Sequence, residues 1–105
     1  ERNMAIQRNV MLLYDLISAG ALSQITGRSL TGGFGPFALQ CCLRIVKLNL
    51  AHFMATDAHS ALTRPPILSK ALKKLSGLTG KAGAEKMVLE GPKMIIEGER
   101  PEAFL

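Results

Sequence analysis

Apolar residues recur at three- and four-residue steps along most of this chain, the spacing of one face of a helix. The longest such pattern spans Phe34 to Thr63. It opens on a Gly-rich turn, Gly32-Gly33-Phe34-Gly35-Pro36, and then runs from Phe37 to Thr63 without Pro or Gly. Leu39, Leu43, Val46, Leu50 and Phe53 form its apolar stripe. The polar positions shift along it, from Gln40, Arg44 and Lys47 to Asn49, His52, Thr56, His59 and Thr63 on roughly the opposite side. This predicts a long helix buried on most sides over its first half and on one side over its second. A break near Thr56-Asp57, with Asp57 as the N-cap of a final short turn, is the alternative for its end.

A partner helix is predicted over Glu1 to Gly27. Asn3 or Asn9 suits its start, since a side-chain oxygen there accepts from a free backbone N–H. Val10, Leu13, Leu16, Ile17 and Ala21 make its stripe, and Gly27 suits its end in a left-handed conformation. The short Gly-rich connection favours antiparallel neighbours. Arg64-Pro65-Pro66 ends the second helix, because a residue before Pro is pushed out of the helical region. Ile67 to Leu78 follows as a short amphipathic helix, with Leu68, Ala71, Leu72 and Leu75 inward and Lys70, Lys73 and Lys74 outward.

The tail repeats itself: Lys86-Met87-Val88-Leu89-Glu90-Gly91 returns as Lys93-Met94-Ile95-Ile96-Glu97-Gly98. Folded as a β-hairpin at Gly91-Pro92, it sets Glu90 against Lys93 and Lys86 against Glu97, with apolar pairs between. Gly-Pro is not a preferred hairpin turn, so a helix from Ala82 to Glu90 followed by an extended 93–97 is the favoured form. The expected fold is therefore all-α: a long antiparallel helical hairpin, a short basic third helix, and an extended or β-hairpin C-terminal tail. It divides into a helical domain over 1–84 and an acidic docking tail over 85–105.

Composition sharpens this picture. The chain has 105 residues, 48% of them apolar and only 5% aromatic. That is more apolar surface than a small domain covers easily, and it points to a surface shared with another molecule. Phe37, Cys41, Ile45, Leu48, Met87, Met94 and Ile96 are the expected protein-partner contacts. The net charge of +5 is uneven: all acids between 2 and 84 are Asp15 and Asp57, whereas 85–105 holds five Glu. A basic body fits an anionic partner, protein, RNA or lipid head group, with Arg64, Lys70, Lys73, Lys74 and Lys81 as the expected contacts. Cys41 and Cys42 are adjacent and have no third Cys to pair with. They read as small buried residues in a reducing, intracellular compartment. The missing initial Met is compatible with a cleaved organellar presequence.

Chemistry is sparse at this level. His52 and His59 are two turns apart on a helix, about 10 Å, too far for one metal, and neither HExxH nor CxxC occurs. Gly77-Leu78-Thr79-Gly80-Lys81-Ala82 fails the spacing of a phosphate loop. The Gly32–Pro36 loop, with Arg28 nearby, reads as a turn joining two helices rather than as an anion site. No Ser or Cys is spaced with a His and an acid for nucleophilic catalysis. The longest uncharged run, Ser29 to Leu43, is shorter than a membrane span needs. These observations lead to a non-enzymatic accessory or structural subunit of a multi-protein assembly, mitochondrial or otherwise organellar and membrane-associated. It would have no cofactor, metal or small-molecule substrate. The alternative is a basic nucleic-acid-contacting module such as a ribosomal accessory protein.

Overall fold

The computed structural model describes residues 1–101; the end of the expected acidic tail, 102–105, lies outside the described residues. The order is α1 (Met4–Arg8), α2 (Met11–Ser18), β1 (Gln24–Thr26), α3 (Gly27–Leu30), α4 (Pro36–Lys47), β2 (Phe53–Ala55), α5 (Ser69–Glu85), a π-helical turn (Lys86–Glu90) and α6 (Gly91–Ile96). The long helical hairpin is not formed. In its place, β1 and β2 pair in parallel, with Gln24 opposite Phe53, Ile25 opposite Met54 and Thr26 opposite Ala55. Parallel strands need a crossover, and α3 with α4 supplies it.

The reason lies at the two places where helices stop. After α4, Leu48 is the C-cap and Asn49 adopts φ 55°. The Asn49 N–H donates to Val46 O and the Leu50 N–H to Ile45 O, both at 3.0 Å. This is the Schellman pattern, in which a left-handed residue turns the chain back and satisfies the last carbonyls. Asn tolerates that conformation far better than most side chains. Leu50 to Ala55 then runs extended instead of helical. Gly20, at φ 108°, ends α2 in the same way, with Gly20 N–H on Ile17 O and Ala21 N–H on Leu16 O. That frees Gln24–Thr26 to become a strand.

Asn3 caps α1 by accepting from the Ile6 N–H at 3.2 Å, and Asn9 accepts from the Met11 N–H at 3.1 Å where the chain enters α2. The basic third helix begins at Ser69 and is longer than expected. It is broken at Gly80 (φ 82°, ψ 164°). The tail is neither hairpin nor strand. It is helical through Ile96, and Met87 is buried in the core.

The core gathers Val10, Leu13 and Ile17 from α2 and its start, Ile25 and Met54 from the strands, and Cys41, Cys42, Ile45 and Val46 from α4. Leu50, Ala71, Leu75, Ala84 and Met87 complete it. Several residues expected at a partner surface therefore lie inside: Cys41, Ile45 and Met87 are covered by this chain itself, because α4 packs against α1, α3 and α5 and the π-helical turn packs against β2 and α5. Met94 is half-buried. Phe37 (77% exposed), Leu48 and Ile96 (85%) stay outside. Burial raises the thiol pKa of both cysteines, that of Cys42 up to about 12.

Candidate functional site

Both strands point the same way, so the segments leaving their C-terminal ends emerge side by side. Functional sites of parallel sheets favour that edge. Thr26 and Ala55 are register partners. Two residues beyond each of them stand Arg28, on α3, and Asp57, on the loop after β2. Parallel pairing thus places Arg28 and Asp57 at one edge of the sheet although they are 29 residues apart in the chain.

Asp57 sits at φ 52°, a sparsely populated conformation for a residue with a side chain and one that concentrates at functional sites. The loop that follows folds back on it. The Ser60 hydroxyl accepts from the Thr63 N–H at 3.0 Å and the Arg64 N–H at 3.1 Å, while the His59 N–H donates to Arg64 O at 3.0 Å. Arg64 therefore returns to Asp57 and donates through Nη2 to its Oδ2 at 2.7 Å and its carbonyl at 3.2 Å. The N-terminal segment arrives from the other side. The Glu1 carboxylate accepts from the Thr26 N–H at 2.9 Å, at the end of β1. That anchor lets Arg2 donate to the same Asp57 Oδ2 at 3.0 Å. Arg28 donates to the Thr63 carbonyl at 2.6 Å.

Phe34 lies at the middle of these cations. The guanidinium carbons of Arg2, Arg28 and Arg64 are 4.4, 5.5 and 5.3 Å from its ring centroid, within the range of cation–π attraction. The Gly-rich loop makes this approach possible. A Cβ at Gly33 would stand 2.4 Å from Arg28 Cγ and 2.6 Å from its Nε, so any larger residue there would have to displace the Arg28 side chain. The loop read from the sequence as a simple connector thus carries the ring on which three arginines rest.

Two guanidiniums share the Asp57 carboxylate here and a third, that of Arg28, lies by the same ring, an excess of positive charge suited to a multiply charged oxyanion. Guanidinium forks match phosphate geometry and bind it bidentately. His59 adds a different chemistry. Its Nδ1 is 2.7 Å from the Asp57 carbonyl. A carbonyl only accepts, so Nδ1 carries a proton and Nε2 is the ring nitrogen left for another partner, as in an imidazole ligand held by a backbone oxygen. Asp57 and His59 are thus a carboxylate and an imidazole on one loop. No group of three or more His, Cys, Asp or Glu able to hold a metal occurs among the described residues.

Of the residues expected to meet an anion, Arg64 belongs to this cluster and Lys70 lines an adjoining cavity. Lys73 and Lys74 are exposed on α5, and Lys81 lies beyond the Gly80 break. Arg2, Arg28, Phe34 and Asp57 were not expected. His59 was weighed against metal binding only by its helical spacing from His52. His52 is instead buried, and its Nδ1 accepts from the Ser23 N–H at 3.0 Å. The signal that could have pointed here is the short apolar run Leu50–Ala55 followed at once by Thr56-Asp57-Ala58-His59: a strand, then two ligand-type residues one apart.

Residues 1–97 match the family model described as "Capsular polysaccharide synthesis, CpsB/CapC". The chain is 43% identical over 104 residues to the Staphylococcus aureus protein called "Putative tyrosine-protein phosphatase CapC", covering 95% of this chain and 39% of that protein. It is 52% identical over 64 residues to tyrosine-protein phosphatase YwqE of Bacillus subtilis (strain 168), covering 61% of this chain and 25% of that one. Among solved structures it resembles, with a TM-score of 0.87 and 38% identity, a chain from work on YwqE of Bacillus subtilis and CpsB of Streptococcus pneumoniae. Those two are described as "unique metal-dependent tyrosine phosphatases"; the match covers 96% of this chain and 40% of that one. The chain thus spans about two fifths or less of the length of these relatives.

These similarities overturn the functional expectation drawn from the sequence. The relatives are enzymes with a protein substrate and are bacterial, so the non-catalytic accessory subunit, the nucleic-acid module and the mitochondrial, membrane-associated setting are all corrected. Among the described residues no helix is long and apolar enough to cross a membrane. Excess apolar composition had suggested an assembly subunit, but the core takes up much of it.

Proposed function

Since the chain belongs to the CpsB/CapC family of capsular polysaccharide synthesis proteins, we propose that it supplies the phosphate-gripping and part of the metal-holding side of a tyrosine-protein phosphatase active site. The observation that carries this reading is the convergence of Arg2 and Arg64 on one Asp57 oxygen, two positions before His59, at the C-terminal edge of parallel strands.

Arg2 and Arg64 bind the phosphoryl oxygens. Without substrate, Asp57 keeps the two guanidiniums together and spares them from mutual repulsion. A phosphate dianion offers them more acceptor oxygens than one carboxylate does, and Phe34 keeps them beside it. Asp57 and His59 would hold a divalent cation together with further ligands. When bound, such an ion polarises the phosphoryl group and lowers the pKa of a coordinated water. The Asp57 carbonyl accepts from His59 Nδ1–H, which leaves Nε2 as the ring nitrogen that would face the ion.

The test is hydrolysis of p-nitrophenyl phosphate and a phosphotyrosine peptide by the intact protein, with and without added Mn²⁺ or Mg²⁺. Asp57→Asn and His59→Gln should each cost at least about 100-fold in kcat, at or beyond the upper end of losses from outer-shell changes. Arg64→Gln should raise KM roughly 10- to 100-fold, the equivalent of 1.5–3 kcal/mol for a hydrogen bond to a charged group. Hydrolysis that ignores chelators and survives both the Asp57 and His59 changes would refute the proposal.

A further inference from the structure

A second basic feature adjoins the arginine cluster. A cavity of about 430 Å³ opens between the start of α3 and the start of α5. Arg28, Arg64 and Lys70 line it, together with the hydroxyl-bearing Thr31, Thr56 and Ser69. Among the described residues no carboxylate lines it. Arg64 is the shared wall: it holds Asp57 through Nη2 and borders this cavity as well. Arg28 spends one Nη1 donor on the Thr63 carbonyl, which leaves further N–H groups on the same guanidinium. Lys70 is exposed and makes no ion pair among the described residues. The space is far larger than one phosphoryl group fills and lies within the range of ligand sites. Arg28 and Lys70, neither of them ion-paired among the described residues, stand beside the proposed phosphate site and form a cradle for a second anion.

The geometry points to a specificity subsite: Arg28 and Lys70 receive a second anionic group on the substrate, next to the phosphotyrosine held by Arg2 and Arg64. This rests on the phosphatase reading and deepens it, because it names the substrate class. The preferred segments are tyrosine-containing stretches with a close acidic neighbour, either an Asp or Glu side chain or a second phosphotyrosine. Both sources present the same chemistry, an oxyanion within a few residues of the reacting phosphate. Basic neighbours would meet three cations and be rejected, so the same cavity discriminates against them. Two exposed cations acting on one anion favour the acidic segment by about five-fold, since solvent-exposed pairs are individually weak.

Four peptides with one phosphotyrosine context separate the possibilities: neutral neighbours, Glu neighbours, a second phosphotyrosine, and Lys neighbours. kcat/KM is measured on each with the metal-supplemented intact protein. Affinity is measured separately by fluorescence anisotropy in chelator, where turnover does not interfere. The expected result is about five-fold tighter binding and higher kcat/KM for one or both acidic peptides over the neutral one, with the stronger of the two naming the natural source. Lys70→Ala should bring them to within about twofold of the neutral peptide while leaving p-nitrophenyl phosphate hydrolysis unchanged. Lys70→Glu should make the Lys-flanked peptide the better ligand. Hydrolysis of all four at equal rates with equal affinities overturns the subsite and leaves the phosphatase reading standing. So does an acidic preference that neither Lys70 variant moves. Absence of hydrolysis together with a Lys70-dependent acidic preference in anisotropy overturns the phosphatase reading and keeps the second-anion site. Absence of both overturns both.

Discussion

Phe34 gives the sharpest test of how the arginine cluster is built. Phe34→Leu keeps a half-buried apolar side chain on the same loop and removes the ring face. Three guanidiniums lie 4.4 to 5.5 Å from that ring. A contact of this kind contributes about 0.5–1 kcal/mol at an exposed site. The Arg2 side chain is 44% exposed and that of Arg64 26%, which argues for the lower figure, and three cations share one ring. A total of about 1.5 kcal/mol follows, roughly tenfold in an equilibrium constant. Arg2 and Arg64 keep their hold on Asp57 in the variant, so the loss falls on how well the cluster is arranged before phosphate arrives. KM for p-nitrophenyl phosphate should rise about tenfold with kcat within about twofold of wild type, the pattern of lost uniform binding. Phe34→Tyr keeps the ring face and should restore KM. Steady-state kinetics on the three proteins at equal metal concentration decide it. A Leu variant with wild-type KM, or a Tyr variant as impaired as the Leu one, would refute the reasoning.

Three further outcomes follow from the rest of the molecule. Burial raises both thiol pKa values, that of Cys42 up to about 12, so neither cysteine should react with a disulfide reagent at pH 8 until the protein is denatured; stoichiometric labelling of the native form would contradict this. Burial, with Arg100 adding to it, lowers the His52 pKa from its ordinary 6.5. The unfolded chain then takes up that proton more readily, so this contribution to stability is complete above about pH 6.5 and is lost as pH falls towards the folded-state value. Urea midpoints should drop between pH 7.5 and 5.5 and do so less in His52→Gln. At the α4 terminus, Asn49→Ala should cost about 1 kcal/mol, because Ala is strained at a left-handed φ, while Asn49→Gly should cost less than half of that; equal losses in a urea titration would count against the capping account.

What could be read in advance was local. Asn3 and Asn9 sit where an accepting side chain serves a helix start, and Ala71 and Leu75 are buried while Lys70, Lys73 and Lys74 are exposed, as a 3.6-residue period requires. The failure came at Asn49. An Asn among Lys47, His52 and Thr56 reads equally well as one more polar position on a helix surface, and Leu50–Ala55 is too short for periodicity to separate strand from helix. Once that break is missed, His52 and His59 share a helix face on paper. In the structure one is buried before β2 and the other is exposed after it. The arginines were illegible for a different reason. Arg2, Arg28 and Arg64 are separated by dozens of residues, and only the parallel register and the returning loop bring them to one ring.

The parallel pairing also sets an order of assembly. Gln24 and Phe53, like the other register partners, are 29 residues apart, so the strands cannot meet until the intervening chain has closed a long loop. The helices need only neighbours along the chain and form on a faster timescale. Arg28 and Asp57 reach one sheet edge when the strands pair, and Arg2 joins through the Glu1 bond to Thr26, which β1 must first present. A partly folded chain can therefore be rich in helix and still have no place for phosphate. During refolding, far-UV circular dichroism should recover before anion binding does.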